Sequence, residues 1–412
     1  MDYNALLLLA TDLGYGLLES GAEIYRVEES ILRLLHAYGI SEADPFVIPN
    51  CIIVSFVTPE GEAMTQVRRM PAHGTDVDLL ERYNDLCRHL CAEVPSLSLA
   101  RERLEVIGKT KRVYSLPILL CAYFGGCWAF SLFFGGTLSD ALCAGICGFA
   151  IGLALTAMTA LHVNLFFRTM LGSALSAFLA SAFVRVGLGQ HSDNIIIGAL
   201  MALVPGIMFT NAIRDVMAGD MVSGLSGIAN ALLTGVSIAL GTAFAISVMG
   251  PTATGTSDGA TGYLLPVLFA FLASGGFAVI YNIHGPGIII CAFGGALGWL
   301  AYLLSGPLLH NDITQILVAA VVISLYAEMM ARIRKCPVTG YLLAAFFPLV
   351  PGGGIYYTME HAMSGDPDAF LAAFLHTLGV AGALALGVLL VSSAVRMWLS
   401  LLRHYTRKGA SV

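Results

Sequence analysis

Two stretches of this 412-residue chain carry the residue types needed to hold a small anion and move a proton inside otherwise apolar sequence. Each opens with a Pro-Gly pair, Pro205-Gly206 and Pro351-Gly352. Proline lacks an N–H and its ring crowds the preceding turn, so a helix running through either pair must break there. The helix that restarts after the glycine presents unpaired N–H groups and the positive end of its dipole, a setting that suits a carboxylate. Beyond the first break come Thr210, Asn211, Arg214 and Asp215, and beyond the second Tyr356, Tyr357, Glu360 and His361. Arg214 supplies a cation for a carboxylate; Thr210, Asn211, Tyr356 and Tyr357 supply hydrogen bonds. Asp215 and Glu360 are titratable, as is Glu328, which lies in another apolar run one turn before Arg332. Ionisable groups inside hydrocarbon are functional candidates because their desolvation is costly, and burial tunes a carboxylate as a proton carrier. The ordinary alternatives are a structural kink at each proline, charges that snorkel to the interface, and a helix-end Glu328–Arg332 ion pair.

The two stretches are copies. Leu203-Val204-Pro205-Gly206 followed by Met217-Ala218-Gly219-Asp220 recurs as Leu349-Val350-Pro351-Gly352 followed by Met363-Ser364-Gly365-Asp366, at a constant offset of 146 residues. The elements that must position these residues repeat as well. Apolar spans are expected at 114–134, 138–159, 169–187, 194–217 and 221–248, and again at 262–281, 286–305, 313–331, 338–361 and 370–400, each near the ~20 residues that cross a bilayer. Adding 146 to the first five reaches the second five, the mark of an internal repeat. An odd number of spans per copy inverts the second copy in the membrane. Inverted five-span repeats with broken helices at midplane are a recurring plan of secondary transporters.

Composition agrees: 57% of residues are hydrophobic, 12% charged, and the mean hydropathy is +0.80. Soluble domains carry about 25% charged residues, so the expected class is an all-α polytopic membrane protein. Residues 1–112 hold 28 of the 48 charged residues and form a separate, water-soluble module. A helix is expected over 20–39, with Ile24, Val27, Ile31, Leu34 and Leu35 on one stripe and Glu19, Glu23 and Arg26 sharing another face. Two strands over 46–58 and 62–69, joined at Pro59-Glu60-Gly61, and helices from Thr75 to Cys91 and Ser98 to Lys111 complete a small α+β domain. The apolar run Ala5 to Ala10 is too short for a signal peptide. The domains are therefore 1–112, 113–256 and 257–412, divided at the Gly- and Thr-rich stretch near Gly250 to Gly262.

Lys109, Lys111 and Arg112 before the first span, then Arg168, Arg214, the Arg332–Lys335 cluster and Arg403 to Lys408, all fall on one side. The loops 188–193, 249–261, 306–312 and 362–369 on the other side contain no Lys or Arg, and Arg185 alone lies near it. By the positive-inside rule both termini are cytoplasmic. A net charge of −6 with mixed signs excludes nucleic acid as an expected partner. Cys87 and Cys91, at i,i+4, are read as packing rather than as a metal site, and no cofactor, nucleophile or phosphate loop stands out, so an enzyme is not expected. Asn282 and His284, in a cytoplasmic turn, are weaker site candidates; His376 is expected in the core. Glycines from Gly145 to Gly152 permit close packing within the chain or in a homodimer.

Three stretches resemble the threonine/serine exporter family of bacterial inner membranes. They are Leu17-Leu18-Glu19-Ser20-Gly21-Ala22-Glu23-Ile24-Tyr25-Arg26-Val27-Glu28, then Leu203 to Gly224 with Asn211-Ala212-Ile213-Arg214-Asp215, and Tyr326-Ala327-Glu328 through Tyr357. The resemblance covers nearly the whole chain and implies a ten-span, fused two-half exporter that uses the proton gradient to expel small amino acids, with the front module in the cytosol. Relatives with separate halves are linked to succinate-like C4-dicarboxylates. The substrate expected first is therefore threonine or serine, and a small dicarboxylate second. A passive channel would need no titratable group in the membrane, and a membrane sensor would use the front module as its output.

Overall fold

The computed structural model describes residues 1–70, 74–250 and 262–409. The chain divides into two compact units, one made of Met1–Tyr114, Tyr281–Gly285 and Ala331–Gly340, the other of Ser115–Ile280, Pro286–Met330 and Tyr341–Val412. Most of the separator expected near 250–262 falls at 251–261, outside the described residues.

In the first unit, α1 (Tyr3–Glu19) and α2 (Ile24–Ala37) precede strands β1 (Ala43–Ile48), β2 (Cys51–Val57) and β3 (Ala63–Arg69), then α3 (Val77–Glu93) and α4 (Leu97–Lys109). The stripe Val27, Ile31, Leu34 and Leu35 of α2 is fully buried against Leu6, Leu9, Leu13 and Leu17 of α1 and Ile52 and Val54 of β2. Helix α1 corrects the reading of the first residues as a short apolar run: Asp2 caps it through Ala5 N–H at 3.0 Å, and its apolar positions continue at helical spacing past Asp12. The expected long strand is two. Pro49 and Asn50 turn the chain so that Ile48 pairs with Cys51, and β2 is the centre of an antiparallel β1-β2-β3 sheet. Glu19, Glu23 and Arg26 do not share a helix face. Gly21, at φ +93°, interrupts the helix, Glu19 ends α1, and Glu23 stands at the N-cap position of α2, where its carboxylate accepts Arg26 Nε at 3.0 Å.

Two distant turns complete this unit. Asn282, in the left-handed region at φ +60°, donates through Nδ2 to Asp76 Oδ1 at 2.8 Å and to Arg112 O at 2.7 Å, and Val77 N–H donates to Tyr281 O at 3.1 Å. His284 stacks on Tyr114 at 4.2 Å, and Tyr114 Oη donates to Ile283 O. In the second turn Arg88 Nη1 donates to Lys335 O at 2.6 Å. Burial raises the Glu81 carboxyl, while Arg334 and the Cys336 thiol pull it the other way. Asn282→Ala is expected to cost about 2 kcal/mol, from two lost hydrogen bonds and a left-handed backbone without asparagine's local compensation. Hydrogen exchange at Val77 and Asp78 should accelerate in that variant, and unchanged protection would contradict this role.

Cys87 and Cys91 lie together on α3. The Cys87 thiol, 5% exposed, is pushed up by its hydrogen bond to Cys91 and by burial, and that same bond holds the Cys91 thiol below its ordinary value. Because the thiolate is the nucleophile, maleimide is expected to modify Cys91 near neutral pH well before Cys87. Cys87→Ala should move the Cys91 reaction to higher pH; an unchanged profile would remove the pair.

The second unit begins with α5 (Leu116–Phe133), α6 (Leu138–Ala160), α7 (Leu165–Arg185), α8 (Ser192–Leu200), α9 (Gly206–Ala218) and α10 (Met221–Met249). It continues with α11 (Leu264–Ile280), α12 (Pro286–Ser305), α13 (Asp312–Arg334), α14 (Val338–Ala345), α15 (Gly352–Ser364) and α16 (Pro367–Gly409), the outer ends of α13 and α14 lying in the first unit. Among the described residues seven helices, α5, α6, α7, α10, α12, α13 and Pro367–Trp398 of α16, are long and apolar enough to cross a membrane, and α11 is a shorter apolar helix. The spans expected at 194–217 and 338–361 are each two short helices, α8 with α9 and α14 with α15, parted at the proline. An offset of 146 carries Gly206–Ala218 onto Gly352–Ser364, and Met221 onto Pro367; both short helices end on a left-handed glycine, Gly219 and Gly365.

Small residues set the packing. A methyl on Gly276 of α11 would come within 3.0 Å of Gly126 Cα on α5, and Phe130, Phe277 and Phe347 form a ring cluster beside this contact. Gly145, Gly148 and Gly152 of α6 face Phe124, Cys127 and Tyr123 of α5, so the stripe that would suit a dimer is filled within the chain. His376 is not a core histidine: half exposed, its Nε2 lies 2.9 Å from Asp312 Oδ2, which α13 presents near its start.

Candidate functional site at the paired helix breaks

The two Pro-Gly breaks meet. A Cβ at Gly206 would overlap Val350 Cγ1 and lie 3.8 Å from Gly352 N, and a Cβ at Gly352 would lie 3.2 Å from Val204 Cγ1. These contacts are reciprocal under the 146 offset, since Val204 corresponds to Val350 and Gly206 to Gly352. Pro205 and Pro351 occupy the N-cap positions of α9 and α15 and offer no capping side chain. Two helix N-termini therefore converge on one point, each with a partial charge of about +0.5, although Gly352 N–H itself donates to Val350 O at 2.7 Å.

From this crossing the helices leave in opposite directions. Gly352 rests on Met201, Gly353 on Ile197 one turn earlier in α8, and Tyr357 and Glu360 lie within charge-interaction range of Asp193 at the start of α8. Helix α15 thus runs back along α8, away from the heading of α9. Arg214 and Glu360 each stand eight residues from their break, about 12 Å along their helices. Pro205, Gly206, Pro351 and Gly352 are brought together; Thr210, Asn211, Arg214 and Asp215 occupy one arm, and Tyr356, Tyr357 and Glu360 the other.

The two arms differ in exposure. Thr210 is 4% exposed, its hydroxyl without a hydrogen-bond partner among the described residues, and Arg214 is 7% exposed, its Nη2 3.7 Å from Asp215 Oδ1. Asp215 Oδ2 accepts Ser223 Oγ at 3.1 Å. On the other arm Tyr356 is half-buried and Glu360 exposed, beside a cavity of about 330 Å³. Thr242, Ala243 and Ser247 of α10 and Tyr356, Glu360 and Ser364 of α15 line it. Its volume lies in the range of small-molecule pockets, about 300–1,000 Å³. Glu328 is half-buried on α13, apart from both breaks in sequence.

Several participants escaped the sequence reading. Asp193 and Thr242 carry no local signal, because a charge at a helix start and a threonine in an apolar span are both common. Asp140 is fully buried and accepts Gln190 N–H at 2.6 Å, His191 N–H at 3.0 Å and His191 Nδ1 at 2.8 Å, anchoring the segment that leads into α8. The Thr137-x-x-Asp140 capping box marks this residue in the sequence.

Long apolar helices together with short ones that start at paired breaks are those of a polytopic membrane protein. A family model described as "Putative threonine/serine exporter" matches residues 9–249, and a second, "Threonine/Serine exporter, ThrE", matches residues 266–394. The chain belongs to the threonine/serine exporter family, in its fused two-part form. It is similar to a "Probable threonine/serine exporter" of Mycobacterium tuberculosis (strain ATCC 25618 / H37Rv), 21% identical over 390 residues, covering 91% of this chain and 73% of the relative. No solved structure matches.

Proposed function

We propose that this protein is a proton-coupled secondary exporter of small amino acids, threonine or serine first, in the inner membrane. The observation that carries the proposal is the meeting of two uncapped helix N-termini at Gly206 and Gly352. That point holds the substrate carboxylate through backbone N–H groups, as broken helices do at the centre of inverted-repeat transporters. Arg214 attracts the carboxylate, Thr210, Asn211, Tyr356 and Tyr357 serve the remaining polar groups, and Asp215, Glu328 or Glu360 carries the coupling proton.

The ten-span arrangement counts α8–α9 and α14–α15 as one broken span each. Matching helix limits at the 146 offset and the reciprocal contacts at the crossing support two inverted halves, and the boundary between the two family matches, 249 to 266, falls between them. Cytoplasmic placement of the front module is supported by its unit, which gathers Met1–Tyr114 with turns 281–285 and 331–340, the segments that span counting puts on one side.

A strain lacking its amino-acid and dicarboxylate exporters tests this reading, fed threonine- or serine-containing dipeptides in one arm and made to accumulate succinate in another. Expression of the protein is expected to raise extracellular threonine or serine several-fold, and an uncoupler to abolish the gain. Growth of the succinate pool outside instead would reassign the substrate to a C4-dicarboxylate. Uncoupler-insensitive flux would point to a channel.

A further inference from the structure

One hydrogen-bonded cluster of the second unit has no part in the site described above. Asp312, the first residue of α13, accepts Tyr302 Oη of α12 on Oδ1 at 2.6 Å, and its Oδ2 lies 2.9 Å from His376 Nε2 of α16. Both carboxylate oxygens are thus engaged, and the imidazole is held with its Nε2–H on Asp312. His376 is half exposed and its Nδ1 has no partner among the described residues, so that nitrogen keeps a lone pair open to water. The offset of 146 carries Tyr302, Asp312 and His376 onto Thr156, Phe166 and Asn230, none of which titrates near neutrality, so the repeated architecture does not require the cluster. It also adjoins the crossing. Thr377, the next residue of α16, has its hydroxyl 3.5 Å from Thr358 Oγ1 of α15, and a methyl on Gly354 would overlap Thr377 Oγ1. Gly354 lies two residues after Gly352, where α15 starts. A methyl on Gly379 would come within 2.6 Å of Ile313 Cδ1, so the same short stretch of α16 packs on α13 as well as on the start of α15.

We infer that His376 takes up the coupling proton from the outer side, with Asp312 as its positioning carboxylate. Span counting puts the loop 306–312, and with it the start of α13, on that side. Histidine is the side chain whose charge ordinarily changes between about pH 5 and 8, the range an external proton source covers. The proton adds to Nδ1 and no bond breaks; the pair passes from one negative charge to none, and its hydrogen bond now joins two charged groups and strengthens. Helix α16 is then held harder against α13 at the residue next to its contact with α15, so the charge state bears on the crossing. Around the imidazole, α12 presents Tyr302 and α13 presents Asp312. Helix α15 meets this stretch through the uncharged Gly354 and Thr358, and α9 meets α16 through Phe209 and Ala381. His310 before α13, Asp368 on α16, Glu360 and His361 on α15, and Arg214 and Asp215 on α9 make no hydrogen bond or ion pair with His376 among the described residues. This inference rests on the proton-coupled exporter reading and deepens it by naming the group that first meets the proton.

The test is threonine efflux from proteoliposomes holding the full-length protein in known orientation, with internal pH fixed and external pH lowered from about 8 to about 6, across the histidine range. Each rate is divided by the same variant's rate of threonine exchange at equal pH, so that a loss of folded protein does not imitate a loss of coupling. Wild type is expected to respond several-fold, and His376→Gln less than about twofold, because glutamine keeps a donor for Asp312 but takes up no proton. Asp312→Asn removes the charge that favours the imidazolium and should move the response to more acidic external pH. His310→Gln should leave it unchanged. A wild-type response in His376→Gln would overturn the inference, as would loss of the response in His310→Gln. Should His376→Gln yield no folded protein, an unmoved profile in Asp312→Asn overturns it. Gradient-driven wild-type flux with an unaltered His376→Gln response removes this residue alone, whereas wild-type efflux of threonine, serine and succinate no faster than from empty liposomes removes the exporter reading itself.

Discussion

Gly206→Ala is expected to cut export to below about a tenth of wild type at normal expression, because the added methyl overlaps Val350 Cγ1 at the crossing. Overpacking of this kind costs about 1–3 kcal/mol and is relieved only by moving one helix start away from the other. The displaced element is the one whose N–H groups are proposed to hold the carboxylate, so transport should suffer more than folding. Val350→Ala in the same chain leaves Val350 Cβ, 3.3 Å from the new methyl, as the nearest atom of that residue, and should restore much of the flux. Gly352→Ala meets the flexible end of Met201 at 2.9 Å and should be milder. Equal loss in Gly206→Ala and the double variant would place the defect elsewhere than at this contact.

The crossing was legible in part. Two Pro-Gly pairs at a fixed offset predict two breaks, and α9 and α15 begin where the prolines require. That Val204 and Val350 each seat on the other half's glycine is a tertiary fact, and no local pattern encodes it. For the same reason the residues beyond the breaks read as one binding constellation, whereas the opposite headings of α9 and α15 divide them into two arms. In the front module the α2 stripe was plain because its period is regular. Helix α1 was obscured by Asp12, and the β1–β2 turn by an apolar run continuing across Pro49-Asn50. His376 was misplaced because its partner Asp312 lies 64 residues away.

Arg214→Ala and Arg214→Lys carry the other large expected effect. Arg214 is 7% exposed and its Nη2 lies 3.7 Å from Asp215 Oδ1, so truncation leaves a half-buried carboxylate with less compensation as well as removing the cation proposed to draw substrate in. Losing an interaction with a charged group costs about 1.5–3 kcal/mol, equivalent to about tenfold or more in affinity or flux. Lysine keeps the charge but not the planar fork, so Arg214→Lys should retain expression and thermal stability while losing most export. That variant separates a binding role from a folding role, and unchanged transport in both variants would remove Arg214 from the site.

The most direct measurement is efflux of labelled threonine from proteoliposomes containing only this protein, with and without an imposed proton gradient, alongside serine and succinate. Saturable efflux of threonine or serine that rises several-fold with the gradient and collapses when an ionophore dissipates it is the predicted result. Efflux of all three compounds no faster than from protein-free liposomes, or a non-saturating leak indifferent to the gradient, would contradict the account.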